Sequence, residues 1–322
     1  MTRSSSPVPP AGYEVRAAEW NDLATVMELF GPADLADWGE LDVTEVSMRH
    51  DWEDPHLDLA RDTWLVVEED APDRAVAYGS LLALAEHRQL QAWGVVHPSH
   101  RGRGVGGFLL DMAEAVAAEH AALAPPDGEI VLRPGVIGPD EAAHRLVESR
   151  GFRPIRHFWR MDAALTDDLL APAPIPGIRL RSFDHGPDDR RVHAAIQESF
   201  AEHWGFIRRD FDQWSAHRFH ESAFDPKLWF VAEEGDQIVG ALQGVDEEGY
   251  AWVGLLGVRP TWRKRGIGEA LLRHAFLEFR RLGYDRVGLS VDAANETGAT
   301  ALYERVGMRE TRRFDIYEKR LR

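Results

Sequence analysis

One segment of this chain occurs twice, and no other feature of the sequence restricts the fold as strongly. Residues 94–110 read GVVHPSHRGRGVGGFLL and residues 256–272 read LGVRPTWRKRGIGEALL, with eight identities at a constant offset of 162. The match continues upstream, where Trp64 corresponds to Trp229 at an offset of 165. A duplication of this length predicts two domains of the same fold rather than one large core.

A proline-rich stretch lies between the two copies. Pro172, Pro174 and Pro176 alternate with other residues, and proline fixes backbone angles and withholds an amide donor, so we expect an extended linker here. The predicted organisation is a loose tail over residues 1–11, an N-terminal domain over 12–165, the linker over 166–177 and a C-terminal domain over 178–322.

Hydrophobic periodicity predicts an α/β fold for each half. In the second half it predicts helical structure within 187–220 and helices over 266–282 and 296–306. Gly283 is expected to end the first of these two helices as a left-handed cap. Strands are predicted near 178–181, 228–234, 237–246, 250–258, 286–291 and 308–319. Because hairpin strands precede a strand-helix-strand-helix-strand end, we expect a mixed, largely antiparallel sheet flanked by helices.

Composition excludes several kinds of chemistry. The 322 residues contain no cysteine, which excludes disulfides, thiolate metal ligands and a cysteine nucleophile. Fifty-four acidic against 37 basic residues leave a formal charge of -17, which opposes nucleic-acid binding and favours cationic small molecules. The sequence has neither an apolar stretch of membrane-spanning length nor a signal peptide, so we expect a cytoplasmic protein with no membrane partner and no bound metal.

The second copy of the repeated segment has the character of an anion site. A strand predicted to end at Val258 runs into Pro260, and Gly266 and Gly268 then open a helix. The first amides of a helix have no intrahelical acceptor and lie at the positive end of its dipole, so they can hold a phosphate without any side chain. Eight Lys or Arg residues against three acids over 259–286 favour a polyphosphate ligand. A plain strand-helix junction is the alternative, but the pattern occurs twice.

The first copy also matches the dinucleotide-binding fingerprint. Gly102, Gly104 and Gly107 have the G-x-G-x-x-G spacing, but the second copy has Leu271 where the third glycine would stand. The strands before both loops have a hairpin pattern rather than a parallel one, so we do not expect a nicotinamide site.

The two loops resemble the pyrophosphate loop of the GNAT superfamily of acyl-CoA-dependent N-acyltransferases. That loop, Arg or Gln, two residues, Gly, one residue and Gly or Ala, is matched over 263–268 and over 101–106. The family's later motif, an Asn before a helix that carries Leu-Tyr and closes in Gly, is matched over 295–308. The resemblance implies two tandem GNAT-like domains, with acetyl-CoA as co-substrate of the second. The residues implied to bind it are Leu256, Gly257, Val258, Arg263, Lys264, Arg265, Gly266, Ile267, Gly268, Asn295 and Tyr303.

The resemblance also implies catalytic groups. Tyr303 is implied as the acid that protonates the departing thiolate, although a core tyrosine on the apolar stripe of its helix is an alternative. Asn295 suits a plain helix N-cap as well as a cofactor contact. For the general base we name Glu202 and Asp292 as candidates, and a water chain could serve instead.

The thioester oxygen needs a hydrogen-bond donor. We expect a backbone N–H near Leu256 or Gly257 to supply it, because the strand must splay there to admit the cofactor, and Gly257 is suited to a bulge.

The first half departs from the family pattern. Val147 takes the place of the tyrosine and no asparagine precedes its helix, so we expect this domain to be degenerate and the chemistry to lie in the second domain. A second candidate cofactor site in the first half consists of Val96, Arg101, Gly102, Arg103, Gly104 and Gly106. The tandem layout resembles that of mycothiol synthases, but Trp252 stands where their strand carries a glutamate base, which argues against that activity.

The predicted function is transfer of an acetyl group from acetyl-CoA to a primary amine of a small, cationic molecule. Aromatic and acidic residues over 200–206, with Phe211 and Trp214, are expected to form the acceptor cleft, although core residues show the same spacing. Two other classes remain open: a non-catalytic CoA-binding sensor or interaction module, and a Fem-type aminoacyl transferase that draws on aminoacyl-tRNA. The sequence assigns no oligomeric state.

Overall fold

Each copy of the repeated segment belongs to a separate α/β unit of the computed structural model, which describes residues 7–219, 224–294 and 298–322. The first unit contains the chain up to His157 together with Arg313–Arg322, and the second contains Phe158–Arg312. Within the described ranges, no helix has both the length and the apolar character that crossing a membrane requires.

The first unit has a sheet of order β1-β2-β3-β4-β5, followed by the last part of the final strand described, β12 (Arg309–Arg320). Neighbouring strands are antiparallel except β4 and β5, which run parallel. The helices are α1 (Leu23–Asp37), α2 (Glu45–Trp52), α3 (Leu59–Asp62), α4 (Val105–Leu123) and α5 (Glu141–Ser149). The strands are β1 (Tyr13–Arg16), β2 (Thr63–Glu68), β3 (Ala71–Leu84), β4 (Gln89–Val96), β5 (Val131–Ile137) and β6 (Arg153–Ala164).

The second unit repeats this plan, with the order β7-β8-β9-β10-β11 followed by the last part of β6. Here β10 and β11 form the parallel pair. The strands are β7 (Ile178–Ser182), β8 (Trp229–Glu234), β9 (Gln237–Asp246), β10 (Ala251–Val258), β11 (Arg286–Asp292) and β12 (Arg309–Arg320). The helices are α6 (Asp189–Ser199), α7 (Phe211–Arg218), α8 (Ile267–Leu282) and α9 (Ala299–Arg305). The α/β class with mixed, largely antiparallel sheets is confirmed.

The two units that strand pairing defines are not separated at the proline-rich segment. Phe158–Ala164 of β6 pair with β11, so these residues complete the sheet of the second unit. Phe314 and later residues of β12 pair with β5 and complete the sheet of the first unit. The sequence instead predicts one boundary, in the linker over 166–177. Proline marks where a chain is extended, but it does not determine which sheet the flanking strands join.

Each sheet is covered by apolar helix faces. In the first unit, one buried cluster packs α4 on the sheet and a second cluster packs α1 and α2 on the opposite face. In the second unit, Ile267, Leu271, Ala275 and Phe279 form the buried stripe of α8 that periodicity predicts. Gly283 ends this helix with a φ of 103°, which confirms the predicted left-handed cap. The predicted helical region over 187–220 is interrupted, because α6 and α7 are separated by residues 200–210.

Candidate active site

Strands β10 and β11 separate after the first two residues of β10. Their parallel pairing comprises Ala251 with Val287 and Trp252 with Gly288, yet β10 continues to Val258 and β11 to its own end beyond that point. The opposite edge of β10 stays paired with β9 as far as Val258. Backbone groups of β10 after Trp252 therefore face a gap between the two strands. The expected splay near Leu256 lies within this stretch.

The bulge in β10 is not where the sequence places it. The register with β9 shifts between Val253 and Leu255, so the irregularity falls at Gly254 rather than Gly257. Position 257 needs a glycine for a packing reason, because a Cβ there would lie 3.0 Å from the Phe200 ring. The glycine lets the end of α6 pack directly on the strand.

The helix that follows the loop presents free amides at its start. Gly266 is the N-cap of α8, has a φ of 81° and provides no capping side chain. The amide of Ala270 donates to the Gly266 carbonyl at 3.0 Å. The N–H groups of residues 267–269 precede that bond and have no intrahelical acceptor. Gly268 has a packing role, since a Cβ there would lie 3.2 Å from Leu302 Cδ2 on α9.

Ion pairs neutralise most of the positive charge predicted around this loop. Arg259 contacts Glu198 at 2.7 Å and Arg265 contacts Glu234 at 2.7 Å. Four further arginine-carboxylate pairs are Arg273 with Glu269, Arg280 with Asp167, Arg281 with Glu278 and Arg286 with Asp162. The loop therefore offers an anion mainly its backbone amides.

Arg263 and Lys264 differ in what they contribute to the loop. The Arg263 guanidinium donates to the Ser199 carbonyl at 2.7 Å and to the Val258 carbonyl at 3.3 Å, so it ties the loop to α6 and β10. Lys264 is exposed, has a left-handed φ of 63° and has no carboxylate partner in the described part of the chain. It is the side chain of the loop best able to meet a phosphate.

Tyr303 is buried and protonated. Its side chain is 9% exposed, and burial raises the pKa of its hydroxyl to about 12. No described residue forms a hydrogen bond with that hydroxyl. The position that corresponds to Tyr303 in the first unit is Val147, which lines a cavity passing through the sheet. Tyr303 itself belongs to the buried cluster of the second unit, so its predicted exposure to the gap between β10 and β11 stays a prediction.

The two candidate bases lie in different surroundings. Asp292 is the last residue of β11 and is 4% exposed, and its Oδ1 accepts a hydrogen bond from the Ala294 amide at 2.9 Å. Ile137, the last residue of the corresponding strand β5, lines the cavity of the first unit. Glu202 is exposed in the segment between α6 and α7. Asn295 lies outside the described residues, so its predicted cofactor contact stays a prediction.

The side chains of Trp252 and Trp214 both pack against neighbouring side chains. The Arg160 guanidinium lies 5.0 Å from the Trp252 ring centroid, a cation-aromatic contact. Trp214 is 3% exposed, and its ring lies 5.2 Å from that of Phe219. It belongs to the buried core, which favours the alternative that this ring is a core residue, and its place in the acceptor cleft stays a prediction. Helical spacing alone does not distinguish a core ring from a cleft ring.

Gln243 is a candidate residue that sequence reasoning missed. It is 2% exposed on β9, directly opposite Leu255 of β10, and neither its side-chain oxygen nor its nitrogen has a hydrogen-bond partner among the described residues. A buried amide without a partner is costly. The corresponding strand position in the first unit, Ser80 opposite Trp93, lines the cavity there. The signal in the sequence was one glutamine within the otherwise apolar run IVGALQGV.

The first unit contains the same gap and helix start. The parallel pairing of β4 with β5 ends at Ala92 and Pro134. Gly104, with a φ of 86°, caps α4 and accepts a hydrogen bond from the Phe108 amide at 3.0 Å. Arg101 forms a two-point ion pair with Asp37, at 2.6 and 2.7 Å.

A cavity of about 590 Å³ occupies this region of the first unit. Five of the six residues predicted as a second cofactor site line it: Val96, Arg101, Gly102, Gly104 and Gly106. The sixth, Arg103, is exposed and is not part of the lining.

Comparison with known proteins agrees with this geometry. The model of the acetyltransferase (GNAT) family matches residues 191–308, and that of an acetyltransferase (GNAT) domain matches residues 60–154. The chain therefore belongs to the GNAT acetyltransferases and carries two GNAT domains in tandem.

The chain is also similar to individual proteins. The chain is 36% identical to a mycothiol acetyltransferase from Thermobispora bispora over 224 residues, which cover 66% of this chain and 70% of that protein. A GCN5-related N-acetyltransferase from Sphaerobacter thermophilus is 34% identical and has a TM-score of 0.85 over 98% of both chains. A tandem GNAT protein from the clavulanic acid biosynthesis pathway has the same fold, with a TM-score of 0.74, 20% identity and coverage of 96% of this chain and 98% of its own. The protein is an N-acetyltransferase.

Proposed function

We propose that the second unit transfers an acetyl group from acetyl-CoA to a primary amine of a small, cationic molecule. The observation that carries this proposal is the gap between β10 and β11, which opens beside the free amides at the start of α8. A diphosphate suits those amides, and an extended pantetheine arm suits an unpaired strand edge. The net charge of -17 favours a cationic acceptor.

This chain's residues would divide the chemistry as follows. The amine nitrogen attacks the thioester carbon, the new C–N bond forms as the C–S bond breaks, and the amine proton passes to a base or to water. Tyr303, whose raised pKa keeps its hydroxyl protonated at neutral pH, donates the phenolic proton to the leaving thiolate. A backbone N–H at Leu256 or Gly257 donates to the carbonyl oxygen. We favour Asp292 over Glu202 as base, because Asp292 ends the strand that borders the gap.

A mycothiol-related acceptor is a second candidate. The 36% identity to a mycothiol acetyltransferase supports it. Trp252 opposes it, since this ring, packed against Arg160, occupies the strand position at which we expect a base in mycothiol synthases.

The cofactor site is tested by paired variants of the loop. Gly266→Glu puts a carboxylate at the amides of α8 and should abolish turnover and acetyl-CoA binding to the second unit. Gly266→Ala introduces the same backbone strain at a φ of 81° without the charge, so it should keep most binding. Gly104→Glu makes the same change in the first unit and should leave turnover nearly unchanged. Turnover of Gly266→Glu at the level of Gly266→Ala would refute the assignment.

The acceptor is identified by a mass-shift screen of primary amines with acetyl-CoA. We expect cationic amines to gain one acetyl group, and a mycothiol precursor amine is included as the competing acceptor. Acetyl-CoA binding without modification of any amine would support a CoA-binding sensor. A requirement for aminoacyl-tRNA, with binding that weakens steeply with salt, would support a Fem-type transferase.

A further inference from the structure

The cavity of the first unit passes through the sheet. Its lining includes the ends of β4 and β5 that do not pair with each other, from Trp93 to Val96 and from Gly135 to Ile137. It also includes residues from both buried clusters, such as Leu109 of α4 on one face and Met48 of α2 on the other. Its volume of about 590 Å³ is in the range of small-molecule sites.

The half of the cavity that lies against α1 and α2 is aromatic. Six rings line it: Phe30, Trp38, Trp52, Tyr78, Trp93 and Phe314. The Trp93 ring extends across the gap to β5, where a Cβ on Gly135 would overlap it. At the offset of 162, the second unit has Leu255 in place of Trp93. The aromatic lining therefore includes a ring that the catalytic unit lacks at the same place.

The same half is negatively charged. Asp34, Asp37, Asp42 and Asp51 line it, and Arg101 is the single cationic side chain in the whole lining that the structure describes. Arg101 is already engaged by Asp37. Rings and carboxylates around a cavity attract an organic cation, because the ring faces and the acidic groups both carry negative potential.

This unit lacks the acid needed for transfer. Val147 occupies the position of Tyr303 and lines the cavity with an apolar side chain. The side chains of α5 that line the cavity are all apolar, so a thioester sulfur placed there would have no proton donor among them, and we expect a molecule bound nearby to stay unacylated.

We propose that the first unit binds a small organic cation in the aromatic, acidic half of this cavity and holds it without acylating it. The ligand class is an amine or quaternary ammonium attached to an apolar group large enough to contact several rings. The site lies within the first unit and is argued independently of the acceptor proposed for the second.

The test measures binding to the full chain by isothermal titration calorimetry without acetyl-CoA. The probes are tryptamine, which is a cation at neutral pH, and tryptophol, its uncharged hydroxyl analogue. Trp93→Lys removes a ring and adds a positive charge at a side chain that is 45% exposed. Leu123→Lys adds the same charge to the same unit at a side chain that is 59% exposed and outside the cavity lining.

We expect tryptamine to bind and tryptophol to bind at least about ten-fold more weakly. Trp93→Lys should lose one equivalent of bound tryptamine, and Leu123→Lys should retain it. Asp51→Asn, a milder change at an exposed side chain, should weaken binding several-fold. Equal binding by both lysine variants, equal affinity for both probes, or no binding of tryptamine would overturn the proposal. Any equivalent bound by the second unit survives in Trp93→Lys, so the two sites are distinguished.

Discussion

At the scale of single residues, the surroundings of Tyr303 fit the acid role that we propose for it. Burial raises the pKa of its hydroxyl to about 12, and none of the described residues hydrogen-bonds to that hydroxyl. A group in this state stays protonated at neutral pH and can give its proton to a better base. The sequence predicts the residue from its motif, but the burial that sets its pKa comes from the packing of α9 on α8.

Replacing Tyr303 with Phe should lower kcat by roughly 100-fold or more, since the leaving thiolate loses its acid. KM for acetyl-CoA should change little, because the loop and strand are untouched. In the unaltered enzyme Tyr303 should stay protonated between about pH 8 and about pH 10, because its raised pKa moves the loss of the proton to higher pH. Turnover should therefore not fall over this range because of Tyr303. Steady-state kinetics over this range measure both, and an unchanged kcat would remove Tyr303 as the acid.

The variant Gln243→Leu tests two properties of this side chain: its cost to the stability of the fold and its contribution to acceptor binding. Removing a buried, unpartnered amide should raise the free energy of unfolding by about 1 to 2 kcal/mol. If the amide meets the acceptor, KM for the acceptor should rise at the same time. Gln197→Leu is the matched control, since the Gln197 side chain accepts a hydrogen bond from the Arg209 amide and its loss should destabilise the protein. A variant that is less stable and has an unchanged KM would contradict both expectations.

At the scale of elements, the end of helix α6 packs against strand β10 at Gly257. The end of α6 packs on Gly257, and Arg263 ties the same end to the loop through the Ser199 carbonyl. These two contacts therefore set the position of the loop over 263–268 relative to the segment over 200–210. Local sequence patterns predict the strand and the helix, but this contact depends on which face of the sheet the helix covers.

Gly257→Ala should destabilise the protein by about 1 to 3 kcal/mol, because the added methyl would lie 3.0 Å from both Phe200 Cε2 and Ser199 Cβ. Gly254→Ala is the control on the same strand, where the nearest atom would be 3.7 Å away and the contact ordinary. Denaturant unfolding of the two variants measures the difference. Equal stabilities would show that α6 does not depend on the small residue at 257.

At the scale of the whole molecule, each unit contains a buried carboxylate held by several donors. In the first unit, Asp62 is fully buried between Arg61 and His120, each at 2.8 Å. Burial alone would raise the pKa of Asp62, but the hydrogen bonds from His120 and Arg61 outweigh it and lower the pKa to about 2. In the second unit, Arg181 and Arg179 lower the pKa of Glu233 to about 2.

These depressed values predict acid sensitivity. A carboxyl group whose folded pKa lies below its unfolded value stabilises the protein above the unfolded pKa, about 4, and loses that contribution as pH falls through about 2. Asp62→Asn should therefore lower stability at neutral pH and flatten its decline below about pH 4. Denaturant unfolding over this pH range measures the effect, with Asp127→Asn as an exposed control in the same unit. A pH dependence identical to that of the unaltered chain would contradict the pKa assignment.

Much of the candidate site could be predicted from sequence because it is local. The loop over 263–268, the glycine that opens α8 and the tyrosine of α9 occupy short segments whose spacing reflects helix geometry and backbone freedom. The bulge at Gly254, the ion pairs that neutralise the arginines and the unpartnered Gln243 could not be predicted in this way. Each depends on a neighbour far away in sequence.

The sequence by itself determined that there are two domains of one fold, that each has a glycine at the start of the helix after its repeated loop, and that only the second has the tyrosine. These properties follow from repetition, spacing and residue type. The tertiary structure decided which strands complete each sheet, where the parallel strands part, and that the first unit has an aromatic, acidic cavity. Strand pairing and cavity shape are set by contacts between distant segments, and a linear pattern does not specify those contacts.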